Sequence, residues 1–476
     1  MKQQVNGGRS ETVTDRSKTH PYIPNTAPAS RQAMLDAVGV TSVDELFDAI
    51  PASLKLDRPL NLPGPILSER DLKRTMEAIL ARNTPTTSVI SFLGGGCWPH
   101  DIPAVCDEIN SRAEFLTAYG GDTYADLGKH QAIFEFQSMI GELVGMEMVS
   151  APVYDWTAAM TSALMMASRV TGRRRTLITG TLPGERRSYI GVTAGNWIDA
   201  EYLAFDPATG LMDLNDLRQK IGDDVAAVYV EVPSYLGGIE PDVQRIAEIA
   251  HAAGALLVVG VDAISLGVLA APADYGADIV VGEAQALGVH MMYSGGLCGF
   301  IASRDEPALV AEYPYLMVSI APARNGQGWG FGWSSMERTS YDLREDAPDY
   351  TGTTQWLWGI TAAVYLSLLG PAGMREVGEG ILQRANYAMR RLNELPGVNA
   401  PVFDAAHFKE FVVDFDATGR SVADINTALR AKGIFGGHDL SGDFPQLGQS
   451  ALYCVTEVHS KADIDRLVSA LEEVLA

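Results

Sequence analysis

The chain is poor in positive charge. Its 476 residues carry 36 Lys and Arg against 59 Asp and Glu, a formal net charge of −23, with a pI near 4.7. No basic run offsets the deficit. Such a surface repels nucleic acid and anionic membrane, and excludes both as partners. Cysteine is scarce as well. Cys97, Cys106, Cys298 and Cys454 form no CxxC pair and no metal-ligand spacing, which excludes a disulfide framework and predicts small buried thiols in a reducing cytoplasm. The eight histidines form no HExxH or related spacing, so no metal site is expected. A long apolar run is also missing. The most apolar stretch, 252–281, is interrupted by Asp262, Ser265, Pro272 and Asp274, and reads as buried strands and turns rather than a membrane span. Residues 1–19 are polar, lack the apolar core of a secretory signal, and read as a flexible tail.

What is present suits a globular enzyme. Hydrophobic residues make up 47% and charged ones 20%. The length allows roughly two to four domains. Residues 20–90 read as a helical arm, with Ser68 before Leu72 as a capping sequence. From 91 to 355 short apolar runs (175–178, 226–232, 256–261, 278–281) alternate with helical segments (158–170, 214–219, 243–253). That alternation predicts a parallel sheet covered on both faces. The glycine-rich stretch 319–335 reads as a loop. Residues 356–476 read as connecting helices, broken at Pro371, and a small C-terminal α/β domain of β-α-β-α order.

Several residues could carry chemistry. Asp262 ends the strand LLVVGVD, and in an open parallel sheet ligands bind beyond the carboxyl ends of strands. A buried carboxylate there needs a cationic partner, such as a protonated pyridine ring, unless it only caps the turn that follows. Tyr154, Asp155, Trp156 and Thr157 precede a helix. A helix N-terminus suits a phosphate, but Asp155 or Thr157 would also be ordinary caps, and the Trp156 indole would crowd an anion. Gly94, Gly95 and Gly96 could form a backbone-rich wall, with His100 beside them. Lysine is the telling absence. Of nine lysines, none falls in DIVVGEAQALG (278–288), after the fourth strand, where an enzyme using pyridoxal phosphate (PLP) would place its Schiff-base lysine.

A family resemblance rests on longer motifs. HPYIPNT (20–26), FLGGGCW (92–98), IPAVCDEINSRAEFLTAY (102–119), IFEFQSMIGELVGM (133–146), GADIVVGE (276–283), AAVYLSLLGPAGMREV (362–377) and KGIFGGHDL (432–440) resemble glycine dehydrogenase (decarboxylating) subunit 1, of the P-protein family of the glycine cleavage system. The resemblance implies a fold-type-I PLP-dependent transferase-like large domain with a mostly parallel seven-stranded sheet. It implies PLP bound through the lysine of a subunit-2-like partner, or a homo-oligomer, and a lipoyl carrier protein that receives the aminomethyl group left by glycine decarboxylation.

Departures from the family fall on its functional loops. TPYQPEISQG is replaced by GGDTYADLGKH (120–130), YDGAT by YDWTA (154–158), GEGQPLG by GEAQALG (282–288), and REKATSNICTNQ by REDAPDYTGTTQ (344–355). Glu283, Gln285 and Arg344 are kept. The pattern predicts a divergent paralogue. Its expected site residues are His100, Asp262, Glu283 and Gln285 for chemistry and Tyr154 to Thr157 with Asp262 for the cofactor. Two alternatives stay open at this point: a repurposed pocket lined by Trp156, Asp262, His290, Arg324 and Trp329, or a non-catalytic partner subunit.

Overall fold

The computed structural model describes residues 19, 22–56, 58, 60–116, 127–292, 296–334, 338–347 and 349–476; the side chains at 127, 128, 342 and 344 are outside the description. The expected tail and most of the altered segment 120–130 therefore lie outside the described residues. The chain divides into two compact units, 1–84 and 85–476.

In the first unit the helix Glu69–Leu80 starts where the sequence predicts. Ser68 Oγ accepts from the Asp71 N–H at 3.3 Å, satisfying one of the free donors of the first turn. The helix Pro28–Val38 opens on a proline and ends at Gly39, whose φ of 81° suits a residue without Cβ. Neither helix buries a residue within the unit.

The second unit is built on strands β1 (Ile90–Ser91), β2 (Met148–Val149), β3 (Arg175–Ile178), β4 (Asp199–Tyr202), β5 (Val225–Val232), β6 (Leu256–Asp262), β7 (Ile279–Glu283) and β8 (Gly299–Ser303). Strands β2 to β8 form one seven-stranded sheet in the order β2-β8-β7-β6-β5-β3-β4. The five strands from β7 to β4 run parallel, and β8 is antiparallel to both its neighbours. β5 is buried along its whole length and β7 likewise, as a sheet sandwiched between helices requires. The helix Trp156–Thr171 packs across β5 to β8 and is buried over nearly its whole length. Val243–Ala252 packs on β5 and β6.

Residues 319–335 correct the expected loop. Residues 318–333 form an antiparallel hairpin of β9 (Val318–Pro322) and β10 (Trp329–Trp333). In WGFGW the aromatics alternate with glycine, a period of two that places Trp329, Phe331 and Trp333 on one face. The glycines concealed the strand because they also mark turns.

The helix Trp356–Leu392 is long and apolar enough to cross a membrane. In this fold it is a core helix, interrupted at Gly370 (φ 59°, ψ −174°) before Pro371, where the ring and missing N–H of proline break the ladder. It packs against Leu127–Val144 and the turn Ala263–Gly267. The C-terminal part adds β11 (Glu410–Asp414), β12 (Ile434–Phe435), β13 (His438–Asp439) and β14 (Ser450–Cys454). β11, β14 and β13 form an antiparallel sheet, while β1 pairs with β12. The Cys454 N–H donates to Phe92 O at 2.9 Å, which ties the entrance of the glycine loop 94–96 to β14.

Candidate active site

Asp262 and Glu283 end adjacent strands in register. Asp262 is buried and does two things. Its Oδ1 accepts from the Ile264 N–H at 3.2 Å, capping the turn, and its Oδ2 lies 2.7 Å from Lys409 Nζ. Both side chains are at most 4% exposed. Lys409 immediately precedes β11 and is carried to the sheet by the C-terminal part of the chain.

The Lys409 ammonium has two further contacts. It sits 3.4 Å from the centre of the Trp98 ring, a cation–π contact strengthened by burial. It also lies 3.1 Å from His100 Nε2. An ammonium can only donate, so Nε2 accepts and the ring carries its proton on Nδ1. Nδ1 then donates to Glu457 Oε2 at 2.9 Å. Burial by itself would raise the Glu457 carboxyl; the hydrogen bonds from His100 Nδ1 and from the Asp101 N–H, at 2.8 Å, oppose that rise and lower it. Asp262, Lys409, His100 and Glu457 thus form one continuous polar chain.

Trp156 fills the adjoining space. Its indole N–H donates to the Tyr229 hydroxyl at 3.0 Å, Tyr229 donates to Glu231 Oε1 at 2.9 Å, and Arg186 Nη1 reaches the same oxygen at 2.5 Å. The Arg186 guanidinium lies over the Trp156 ring, 4.8 Å from its centre. Gly260 in β6 makes room for this stack: a Cβ there would come within 2.4 Å of the Tyr229 hydroxyl and 2.8 Å of the indole nitrogen. Gly94 serves Glu410 in the same way, since a Cβ would sit 2.1 Å from Glu410 Oε1.

Two carboxyls are shifted by burial. Glu283 is pushed up to about 8 despite accepting from the N–H groups of Cys298, Gln285 and Trp156. Glu410 is pushed up to about 7, with the Lys409 charge and the Gly95 N–H opposing the rise.

The other expected residues separate into those brought together and those not. Asp155 accepts from the Ala158 N–H at 2.7 Å and is an N-cap; Thr157 sits in the first turn. Tyr154 is exposed. Gln285 accepts from the Trp98 N–H and donates to Val289 O, bracing the wall that carries His100. Gly94, Gly95, Gly96, Asp155, Trp156, Thr157 and Glu283 all border one cavity of about 360 Å³. The pocket of the repurposing alternative does not form: His290 pairs at the surface with Asp107 at 2.9 Å, and Arg324 and Trp329 lie exposed on the β9–β10 hairpin. None of the three lines the small void that Asp262 borders. The Arg344 side chain is outside the described residues. Sequence reasoning missed Lys409, Arg186, Glu231 and Glu457, because polar residues distributed along a chain carry no sign of which buried acid they will face.

Residues 20–471 match the model of the glycine cleavage system P-protein family. The chain belongs to that family. P-protein relatives span almost its whole length. A probable glycine dehydrogenase (decarboxylating) subunit 1 of Aeropyrum pernix is 38% identical, over 96% of this chain and 99% of its own. Its counterpart in Staphylothermus marinus is 36% identical, over 96% and 98%. A solved glycine decarboxylase (P-protein) of the glycine cleavage system, in inhibitor-bound form, superposes with a TM-score of 0.85 at 32% identity, covering 96% of this chain and all of the other. A Burkholderia pseudomallei sphingosine-1-phosphate lyase, at 14% identity and a TM-score of 0.64, shares the fold alone. PLP is the cofactor that membership of this family implies.

The residues around Asp262 do not fit that cofactor, although the neighbouring cavity of about 360 Å³ shares Gly96, Trp156, Arg186 and Tyr235 with that space. The space enclosed by Asp262, Lys409, Trp98, Trp156, Arg186 and Glu231 is about 20 Å³, whereas small-molecule pockets are typically 300 Å³ or more. The acid that would face a pyridinium already holds an ammonium. The helix start that would face a phosphate carries the Trp156 indole. No lysine lies between Glu283 and Met292.

Proposed function

We propose that the chain is subunit 1 of a two-subunit glycine dehydrogenase (decarboxylating), and that a subunit-2-like partner supplies both PLP and the lysine that holds it. The supporting observation is that Lys409 pairs with Asp262 inside a space too small for the cofactor, in a chain that matches a subunit-1 relative over 96% of its length. On this reading the chain contributes a folded surface to the assembly, and glycine decarboxylation with transfer to a lipoyl carrier takes place on the partner. All four cysteines are unpaired, which suits a reducing compartment such as the cytoplasm.

The test is an affinity pull-down of the tagged chain from its own organism, with mass spectrometry of the co-eluting protein and an absorbance scan from the near-ultraviolet into the blue. A stoichiometric second chain with a pyridoxal band supports the reading. A colourless homo-oligomer overturns it and favours a structural role without a PLP-bearing partner.

A further inference from the structure

The geometry points to Lys409 as a built-in occupant of the fold's ligand pocket, its ammonium standing against Asp262 where an external cation would otherwise be required. The charges around the void support this. Asp262 faces Lys409 at 2.7 Å and Glu231 faces Arg186 at 2.5 Å, so two buried anions meet two buried cations. Glu410, the next residue to Lys409, is the remaining acid lining the void; burial favours its uncharged form. Each of the two cations at the void is thus already paired with an acid of the chain. What remains, about 20 Å³, has room for one water-sized molecule. Glu231 Oε2 and Ser234 Oγ, both buried and without a hydrogen-bond partner among the described residues, line that same void, as does Asp262 Oδ2, which is ion-paired with Lys409. The ammonium and its backbone are held from several sides. Trp98 covers it, His100 accepts from it and is itself held by Glu457, and the backbone of Lys409 accepts from the Val455 N–H at 2.8 Å. The space at Asp262 is therefore an ion-pair core, distinct from the cavity of about 360 Å³ with which it shares Trp156 and Arg186. This inference concerns the isolated chain and does not depend on the proposed partner.

A double-mutant cycle tests it on the full-length purified chain. Lys409→Met or Asp262→Asn singly leaves one charge buried without its partner. Each single variant is expected to have a clearly lower Tm. The double variant K409M/D262N removes both charges and is expected to recover most of the loss. With Lys409→Ala, n-propylammonium chloride is expected to raise the Tm while sodium chloride of equal ionic strength does not. The wild-type chain mixed with PLP and reduced with borohydride is expected to carry no pyridoxyl group on Lys409. Additive losses in the cycle, no response to n-propylammonium, or a pyridoxyl-labelled Lys409 would each overturn the inference. The borohydride result decides the matter even if the single variants fail to fold. None of these readouts involves partner binding, so they fail or succeed separately from the subunit assignment.

Discussion

At the scale of single residues, the buried carboxyls set the response to pH. Glu410 is raised from the ordinary carboxylate range to about 7 and Glu283 to about 8, chiefly by burial. In the folded chain each group holds its proton more tightly than in the unfolded chain. Their contribution is therefore most favourable below the unfolded pKa and declines as pH rises toward the folded value. Glu457 has the opposite sign: its carboxyl is held low, and its contribution is lost as pH falls below the ordinary carboxylate range. Glu410→Gln keeps an oxygen for the Gly95 N–H and removes the ionisation. The decline of Tm between about pH 5 and about pH 8 should be shallower in that variant than in the wild type; an unchanged slope would mean that Glu410 does not titrate in this range. Trp156→Ala should cost about 3–5 kcal/mol, the usual range for truncating a buried indole, with the bond to Tyr229 and the stack under Arg186 lost as well. Urea unfolding followed by tryptophan fluorescence measures it.

At the scale of elements, most boundaries were legible because hydrophobic period and cap chemistry act locally. β3 spans the predicted 175–178, and the C-terminal helix spans the predicted Lys461–Leu475. Ser460 and Asp463 close a reciprocal capping box at the start of that helix. Ser460→Ala should cost about 1 kcal/mol, read as a lower urea midpoint with an unchanged slope. The elements that escaped were those whose residues send mixed signals. β10 hid behind its glycines. β4, DAEY, is half exposed at the sheet edge and has no apolar run to mark it. Trp329, 65% exposed on the hairpin, contributes little packing within the chain. Trp329→Ser should therefore change the stability of the isolated chain by no more than about 0.5 kcal/mol. A larger loss would mean that the hairpin packs more tightly than its exposure indicates.

At the scale of the whole molecule, the proposed assignment places the PLP chemistry on a partner chain. Co-expression with a subunit-2-like chain should give a coloured complex holding one PLP per pair of chains, and separation should leave this chain colourless. Two PLP per pair would contradict that assignment. The strongly negative surface predicts that an association resting on charge complementarity weakens as salt is raised, measurable as a shift in the complex's dissociation constant.

The sequence by itself determined the alternating strand–helix order, the family, the absence of a lysine after β7, and the intrusion of a tryptophan at the helix start. These are statements about neighbours along the chain, and local periodicity and motif spacing express them directly. Only the tertiary structure decided what meets Asp262. Lys409 reaches it from the start of β11, across the join between the central sheet and the C-terminal strands. A buried acid must find a counter-charge, but nothing in the residues around position 262 or 409 states that the two belong together. That pairing is fixed by how the C-terminal strands dock on the sheet, which brings the start of β11 to the end of β6.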